Sequence, residues 1–318
     1  MCFMHSNIDS LRNMSPISGY YILTEAKERT TTLGKTFVTG KLSDASGTIG
    51  FVMWDDCPFT EEDTGKIVHV GGVVDKYRDE LQAKLMCVRV AADYEVKALD
   101  KSVLVPVAPI DIGEAYFYIA DKLFDVIESP YADVAMDIFL DNATEIQYYP
   151  AAKSVHHAFI GGWIMHVSNM LKMAEHICDQ YEDIYPIDRA LLYSGVVLHD
   201  IGKLREFDLN ELGVVKDYSV DGKLIGHSAL GAMMVEEKAK ELGLPESEMT
   251  VLKHLILSHH GKAEFGATVE PMCIEAQILT YLDGLDSRIE IYRCALEKTE
   301  KGKFSDIVRA LNKPVYCA

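Results

Sequence analysis

The hydrophobic periodicity of the chain changes once, between residues 97 and 111, and this change restricts the fold more than any other feature. Before it, from Ser18 to about Val96, short β-rich runs alternate with turn residues. Apolar and polar residues alternate in "TFVTGKL" and "GTIGFVMW", and the "SDASG" between them is typical of a hairpin turn. Five such runs predict a small Greek-key barrel, with the OB-fold as the commonest architecture and an SH3-like barrel as the alternative.

After the change, almost every segment has the 3.6-residue period of a helix. Pro106 and Pro109 lie in "KALDKSVLVPVAPID", which is predicted to be a linker. We therefore predict a multidomain protein with an all-β OB-fold barrel over 1–97, a linker over 98–110 and an all-α helical bundle over 111–318. The predicted helices are 111–128, 130–142, 158–181, 187–200, 226–242, 247–258 and 271–296.

The charge of the chain argues against a protein that coats nucleic acid by bulk attraction, because the net charge is −18. The acidity is uneven: residues 1–97 hold 11 Lys and Arg against 14 Asp and Glu, and the remainder holds 20 against 35. The barrel is therefore the better candidate to contact a polyanion.

Seven scattered cysteines without a C-x-x-C pair fit reduced thiols. No signal peptide opens the sequence and no apolar run approaches the ~18 residues of a membrane span, so we expect a cytoplasmic protein without membrane contact.

An apolar run at 196–204, "VVLHDIGKL", contains His199 and Asp200 side by side. An ionised carboxylate in such a setting is costly unless a positive charge lies beside it, and a bound cation supplies that charge. A single histidine on an apolar face is more often a hydrogen-bonded core residue, but a set gathered from separate helices is typical of a divalent metal site. His176 and His254 fall off these faces and are predicted to be structural or exposed. The other candidates, at helix ends or on apolar faces, are His166, His227, His259, His260 and Asp283.

The ordered set of His166, His199–Asp200 and Asp283 resembles the signature of the HD superfamily of metal-dependent phosphohydrolases. His227 and the pair His259–His260 resemble its expanded form, which accompanies a second metal. Some multi-metal members have a glutamate one turn before the first histidine, where this chain has Gly162, so two cations are expected rather than three. A mixed histidine and carboxylate set favours Mn²⁺, Fe²⁺, Co²⁺ or Zn²⁺ over Mg²⁺. The predicted ligands are His166, His199, Asp200, His227, His259, His260 and Asp283.

Hydrolysis of a phosphoester needs an attacking water, neutralised phosphoryl oxygens and help for the leaving oxygen, and two cations supply all three. Asp200 is predicted to bridge them. Lys203 is predicted to contact a phosphate oxygen, with a solvated lysine at a helix end as an equal alternative. His156 or His157 is expected to contact the phosphate or the leaving oxygen, and Asp286 to support the aspartate one turn before it or to lie at the surface. The predicted catalytic residues are Asp200, Lys203 and His157.

The predicted barrel would give a nuclease a groove for backbone phosphates and aromatic side chains on which bases stack. Most of its aromatic residues must lie in the core, so only two or three are expected to be exposed, and Trp54, Phe37 and Tyr77 are the leading candidates. A solvated surface explains the local basic residues equally well. The predicted strand-binding residues are Lys35, Phe37, Lys41, Trp54, Lys76, Tyr77 and Arg78.

The barrel followed by an HD domain resembles the YhaM family of bacterial 3′-5′ exoribonucleases. The segments that carry this resemblance are "HHAFIGGWIMH", "LLYSGVVLHDIGK", "LIGHSALG", "LSHHGKAEFG" and "YLDGLDSRI". It implies removal of nucleotides from single-stranded RNA, and in many members from DNA, with Mn²⁺ or a similar ion, by a homo-oligomer. The alternatives are an HD-type phosphodiesterase of cyclic or signalling nucleotides and a non-catalytic single-strand-binding protein. The barrel and the absence of a downstream "GYP" argue against the former, and the complete ligand set argues against the latter.

Overall fold

The computed structural model describes residues 5–54, 57–153, 157–210, 212–297 and 299–318. Contacts divide the chain into two units, Met1–Pro106 and Val107–Ala318, and each has its own hydrophobic core. The division falls inside the segment that the sequence predicts to be a linker. The start of that segment is ordered, because it ends a short helix, α1 (Asp93–Ala98), and continues into a 3-10 turn at Lys101–Val103.

The first unit is a closed barrel of five strands in the order β1-β2-β3-β5-β4. Neighbouring strands are antiparallel, except that β3 and β5 pair in parallel. This is the Greek-key barrel of the OB-fold, so that prediction is confirmed and the SH3-like alternative is wrong. The strands are β1 (Pro16–Thr30), β2 (Thr36–Asp44), β3 (Gly47–Trp54), β4 (Ile67–Tyr77) and β5 (Glu80–Val90).

Side-chain alternation along the strands forms the barrel core. On β4, Val68, Val70 and Val74 are fully buried, while the residues between them are at most half-buried or lack a side chain. Phe51 and Tyr21 are also fully buried. As expected for a barrel this small, most of its aromatic rings are used for packing and few are left for a ligand.

The second unit is mainly helical, and all seven predicted helices are present. It also contains a two-stranded antiparallel hairpin, β6 (Phe207–Leu209) and β7 (Val215–Tyr218), that the all-α prediction lacked. The helices are α2 (Ile112–Phe124), α3 (Pro130–Asp141), α4 (Ala143–Tyr148), α5 (Gly162–Tyr181), α6 (Arg189–Leu198), α7 (Lys203–Glu206), α8 (Val220–Leu224), α9 (His227–Leu242), α10 (Glu246–Ser258) and α11 (Ile274–Leu296).

Helix α6 is the centre of the helical unit and packs against α3, α5, α10 and α11. Every residue from Ala190 to Leu198 is buried, which explains why "LLYSGVVL" has no polar face. The side chain of Asp188 caps its first turn by accepting a hydrogen bond from Leu191 N at 3.0 Å. Its C-terminal end therefore lies inside the unit, at the point where His199 and Asp200 follow. Within the described residues, no helix is both long and apolar enough to cross a membrane.

Candidate metal centre

Five helices bring the seven predicted ligands to one place. The rings form a continuous row: centroids lie 5.3 Å apart for His166 and His199, and 5.1 Å for His199 and His259. His260 continues the row, 3.9 Å from His259 and 5.1 Å from His227. Histidines that lie up to 94 positions apart in the chain thus form one cluster, as the sequence predicts.

The ends of the helices position most of these side chains. His199 follows α6 directly, His259 follows α10, and His227 is the first residue of α9. Gly202 allows α9 to approach the turn after α6, because a Cβ at this position would lie only 2.0 Å from the carbonyl oxygen of His227. Any other residue would push His227 away from the cluster.

Asp200 lies at the centre of the cluster and is 3% exposed. Its Oδ2 is 3.3 Å from His199 Nε2, and its Oδ1 is 3.5 Å from His227 Nε2 and 3.9 Å from His259 Nε2. The two oxygens of one carboxylate therefore face two separate groups of imidazoles. Lys203 Nζ donates hydrogen bonds of 2.6 Å to Oδ2 and to the carbonyl oxygen of Ala151.

Asp283 and Asp286, one turn apart on α11, contact the same histidine. His166 Nε2 is 3.4 Å from Asp283 Oδ1, and His166 Nδ1 is 2.7 Å from Asp286 Oδ2. Asn169 also donates to Asp286, at 3.0 Å. Asp286 is buried, so its predicted alternative at the surface is wrong, and it supports the histidine directly.

Several buried polar atoms of the cluster point at one another without a donor between them. His199 Nδ1 donates to Val196 O at 2.8 Å, and His259 Nδ1 donates to Ile256 O at 2.6 Å, so each Nε2 is left with a lone pair. Among the described residues, neither Nε2 has a hydrogen-bond partner, and the same holds for Asp200 Oδ1. Buried acceptors that face each other are costly unless a cation lies between them, so these residues fit divalent metal ions.

In each of three groups of residues, the ligand atoms lie within 4.8 Å of one another. The groups are His227 with His259 and His260, His166 with His199 and Asp200, and His157 with His166 and Asp286. The second group includes Asp200, and the first lies near its Oδ1, which is 3.5 Å from His227 Nε2. The third shares His166 with the second, and in it His157 Nε2 is 3.3 Å from Asp286 Oδ2.

The charges around Asp200 keep it ionised. Burial raises the pKa of this carboxyl group, but Lys203 and His199 outweigh burial and hold the pKa well below its ordinary value. Burial acts in the same direction on Asp283, and the neighbouring imidazoles again lower its pKa. Both carboxylates are therefore available as ligands at neutral pH.

The histidines differ in protonation when no cation is bound. Burial lowers the pKa of His166, but Asp283 and Asp286 outweigh it and raise the pKa to about 9. Burial and the neighbouring His260 hold the pKa of His259 well below its ordinary value, so its Nε2 lone pair is free. A cation beside His166 must therefore displace a proton.

Lys203 and His157, which were predicted to be catalytic, occupy two different positions at the cluster. Lys203 is nearly buried and pairs with Asp200 rather than extending into solvent. His157 is 2% exposed, has a backbone φ of 48° and lies beside Asp286. His156 lies outside the described residues. His176 is exposed and His254 accepts a hydrogen bond from the Met272 amide at 2.9 Å, so neither joins the cluster.

A cavity of about 560 Å³ connects the cluster with solvent. Asp200, His227, His259, His260 and Asp283 form its floor. Its other walls include the cationic side chains of Lys153, Lys203 and Arg288 and the ring of Tyr218.

Sequence analysis missed one further residue of the cluster, Glu206. Its Oε1 accepts hydrogen bonds from His227 N at 3.0 Å and from His227 Nδ1 at 3.2 Å, which orients the ring. No sequence signal pointed to Glu206, because it lies 21 positions from His227 and the contact depends on how α7 packs against α9.

The predicted strand-binding residues of the barrel form two groups. Trp54 is 45% exposed and stacks on Phe37, with centroids 4.6 Å apart and an interplanar angle of 23°. Lys35 Nζ lies 5.8 Å from the Trp54 ring. These residues come from β3, β2 and the loop between β1 and β2, and Lys41 is exposed further along β2, where it lies 3.5 Å from Glu25.

The second group surrounds the turn between β4 and β5. Tyr77 is 58% exposed, and the guanidinium carbon of Arg78 lies 5.3 Å from its ring. Lys76 is exposed beside them. Trp54 and Tyr77 are thus exposed as predicted, whereas Phe37 is half-buried beneath Trp54.

The chain is similar to several characterised proteins. The HD domain family matches residues 163–288, the part that contains the cluster. The 3′-5′ exoribonuclease YhaM of Bacillus velezensis is 36% identical over 305 residues, which cover 94% of each chain. The enzyme of the same name from Bacillus subtilis is 35% identical over 304 residues, again 94% of each chain.

Among solved structures, the second OB-fold domain of replication protein A from Methanococcus maripaludis matches with 20% identity and a TM-score of 0.25, over 28% of this chain and 97% of that one. The HD match and the His and Asp cluster together indicate dependence on divalent metal ions. With more than a third of residues identical over nearly the whole length, this chain belongs to the family of the 3′-5′ exoribonuclease YhaM.

Proposed function

We propose that the protein is a metal-dependent 3′-5′ exonuclease that hydrolyses phosphodiester bonds of single-stranded RNA, and of single-stranded DNA as a second substrate. The observation that carries this proposal is the position of Asp200, a buried ionised carboxylate. The unpaired Nε2 of His199 lies near its Oδ2 and the unpaired Nε2 of His259 lies near its Oδ1. The direction of cleavage and the RNA substrate come from the names of the relatives.

We propose that the cluster would hold two cations and that Asp200 would be a ligand of both. We assign the first to His166, His199, Asp200 and Asp283, and the second to Asp200, His227, His259 and His260. Mn²⁺ is our first choice, followed by Fe²⁺, Co²⁺ and Zn²⁺, because imidazole and carboxylate ligands are mixed. When bound, the cations supply charge to the phosphoryl oxygens and lower the pKa of the attacking water.

The protein itself holds these ligands in position. Lys203 keeps Asp200 ionised and ties it to the Ala151 carbonyl, and its ammonium group also lines the cavity, next to where a phosphate would lie. Asp286 fixes the ring of His166 and Glu206 fixes that of His227. We retain Asp200 and Lys203 as the proposed catalytic residues. His157 is buried, lies beside Asp286 and does not line the cavity, so in place of the predicted contact with the phosphate or leaving oxygen we propose that it positions Asp286.

We assign strand binding to the barrel domain, 1–97, and hydrolysis to the helical domain, 111–318. OB-folds bind oligonucleotides on strands 2 and 3 and on the loops between strands 1 and 2 and strands 4 and 5. The two exposed groups around Trp54 and Tyr77 lie on these same elements. Exposed aromatic rings beside cations suit stacked bases and backbone phosphates.

The proposal is tested with end-labelled single-stranded RNA and with cyclic dinucleotides, each incubated with the protein in Mn²⁺ and in EDTA. A Mn²⁺-dependent ladder that shortens from the 3′ end is the expected result. Loss of the cyclic compound alone would identify a signalling-nucleotide phosphodiesterase, and RNA retardation without cleavage would identify a binding protein. Asp200→Ala should abolish cleavage and retain RNA binding. Cleavage at the normal rate by this variant would refute the assignment of the centre.

Trp54→Ala should weaken binding of single-stranded RNA by ~1–3 kcal/mol, because one stacked base loses its platform. Fluorescence anisotropy of labelled RNA in EDTA measures this loss without cleavage. Tyr94→Ala is the control, since Tyr94 is an exposed ring of the same unit outside the proposed surface. Equal affinities of the Trp54 and Tyr94 variants would contradict the proposed surface.

A homo-oligomeric assembly and a cytoplasmic location stay predictions. The mass of the protein in solution, measured by light scattering, tests the first of them.

A further inference from the structure

A second cavity of about 570 Å³ adjoins the one above the metal centre. Both cavities are lined by His260, Phe265, Thr280, Gly284 and Arg288, so they share a wall along α11. A polymer whose scissile phosphate lies over the metal centre must extend beyond it, and the second cavity shares lining residues with the cavity over that position. The ligand that we infer for the second cavity therefore rests on the proposed nuclease function.

Arg288 is the cation available for a phosphate between the two cavities. Of the three cationic side chains that line the first cavity, Lys203 is bound to Asp200, and Lys153 lies 3.2 Å from Asp217. Arg288 is exposed and forms no ion pair with any of the residues that the structure describes. A planar guanidinium group binds phosphate oxygens through two parallel hydrogen bonds.

Gly284 lies where the two cavities share their lining. It lies in the middle of α11 and lines both cavities, and a Cβ built on it would meet no heavy atom within 4 Å. Glycine destabilises a helix interior relative to alanine, and no packing contact here requires it. The missing side chain instead leaves the helix backbone bare at the point where the two cavities meet.

The second cavity has the aromatic surface that a base requires. Tyr281 is 70% exposed and Phe265 is 67% exposed, and both rings line it. Glu270 and Lys262 also line it, so its wall is not strongly charged apart from Arg288. An exposed ring beside a phosphate-binding cation is the arrangement with which proteins hold single strands.

We propose that the second cavity is a nucleotide subsite of the exonuclease. The single strand crosses α11 at Gly284, the phosphate next to the scissile one binds Arg288, and the adjoining base stacks on Tyr281. The ligand is a phosphodiester-linked single strand of at least two nucleotides, held without reading its sequence.

The test compares a short single-stranded RNA with bis(p-nitrophenyl) phosphate, a diester that contains no base and no second phosphate. Arg288→Gln should raise KM for the RNA by about tenfold, the effect of losing one charge-assisted contact. It should lower kcat/KM for the small diester much less than kcat/KM for the RNA, because the small diester has no phosphate next to the scissile one. Arg309→Gln is the matched control, because Arg309 is exposed in the same unit and lines neither cavity.

Gly284 provides a second, independent variant. Gly284→Leu should block the passage and raise KM for the RNA, and it should still fold because the space above the glycine is open. Gly284→Ala should melt at a higher temperature than the unaltered protein, which shows that the position is not needed for folding.

The outcomes separate the subsite from the function on which it rests. An unchanged KM for RNA in both variants, or an equal loss on the small diester, would overturn the subsite. If the unaltered protein cleaves the small diester but no RNA, the proposed function fails. RNA anisotropy in EDTA then still decides the subsite, which is refuted if Arg288→Gln binds as tightly as Arg309→Gln.

Discussion

Hydrogen bonds to Nδ1 determine which nitrogen of each histidine faces the interior of the cluster. In each of four rings, Nδ1 bonds to a group at the outside of the cluster, and Nε2 faces inward. The ring and its Nδ1 partner are His166 with Asp286, His199 with Val196 O, His227 with Glu206, and His259 with Ile256 O. Two of these partners are helix carbonyls and two are carboxylates, and a carboxylate also makes the ring more basic.

Asp286→Asn should weaken binding of the divalent cation by ~10–100-fold, because the amide orients His166 less firmly and adds no negative charge. Isothermal titration of the metal-free protein with Mn²⁺ measures the change. Asp306→Asn removes an exposed carboxylate of the same unit and is the control. An unchanged affinity in the Asp286 variant would show that the orientation of His166 does not matter.

Sequence reasoning brought all seven proposed ligands together because each falls at a helix end or on an apolar helix face. It missed Glu206, and it gave Asp286 only a supporting role beside Asp283. These two carboxylates act through hydrogen bonds to histidines that are 21 and 120 positions away. Helical periodicity places a residue on a face, but it does not show which distant side chain that face will meet.

At the scale of the elements, two helix C-termini contribute to the electrostatic field at the centre. The C-terminal ends of α6 and α10 both point at the cluster, since His199 and His259 are the residues that cap them. The C-terminus of a helix carries partial negative charge and favours a nearby cation. The same geometry that exposes the ligand nitrogens thus also favours the ion that they would bind.

The elements that the sequence predicted well are the long ones. Each predicted strand and helix is present, with ends that differ by a few residues. The hairpin of β6 and β7 and the short helices α4, α7 and α8 were not predicted, because segments of three to six residues contain too few positions to display a period. Tertiary contacts hold them instead: α4 contacts α5, α7 and α8 contact α9, and the hairpin contacts α7 and α8.

Glu95 on α1 ties that helix to the barrel, and its contribution should depend on pH. A hydrogen bond from Arg89 on β5, with further bonds from Ala92 N and Tyr20, lowers the pKa of Glu95 from 4.5 to about 2. The carboxylate therefore stabilises the fold fully above pH 4.5, and the stabilisation is lost as the pH falls from 4.5 towards 2.

Glu95→Gln should accordingly lower the melting temperature at pH 7, and the difference from the unaltered protein should shrink steadily below pH 4.5. Thermal melts followed by circular dichroism between pH 7 and pH 3 measure it. Glu28→Gln, an exposed barrel residue, is the control. A difference that stayed constant with pH would mean that the charge of Glu95 contributes nothing.

At the scale of the whole molecule, the chain consists of two units with separate cores, and the change of periodicity near residue 100 was enough to predict this. Each unit contains one of the two tryptophans: Trp54 in the barrel and the fully buried Trp163 in the helical unit. The two rings therefore report on the two units separately.

Mn²⁺ should stabilise only the unit that contains the metal centre. At a hundredfold excess over the dissociation constant, the helical unit gains about 2.7 kcal/mol by mass action. In Trp54→Phe, the fluorescence of Trp163 reports unfolding by denaturant. The midpoint of this transition should move to a higher denaturant concentration when Mn²⁺ is added and should return to its original value with EDTA. In Trp163→Phe, the Trp54 transition should not move. A shared shift would mean that the units unfold together.

The close approach of α9 to Gly202 limits which mutations are tolerated in the turn after α6. The backbone of α9 already occupies the volume that any side chain at residue 202 would need. Saturation mutagenesis of that codon, followed by selection for nuclease activity, should therefore recover glycine alone. The requirement for glycine at position 202 follows from the short distance between its backbone and the backbone of α9.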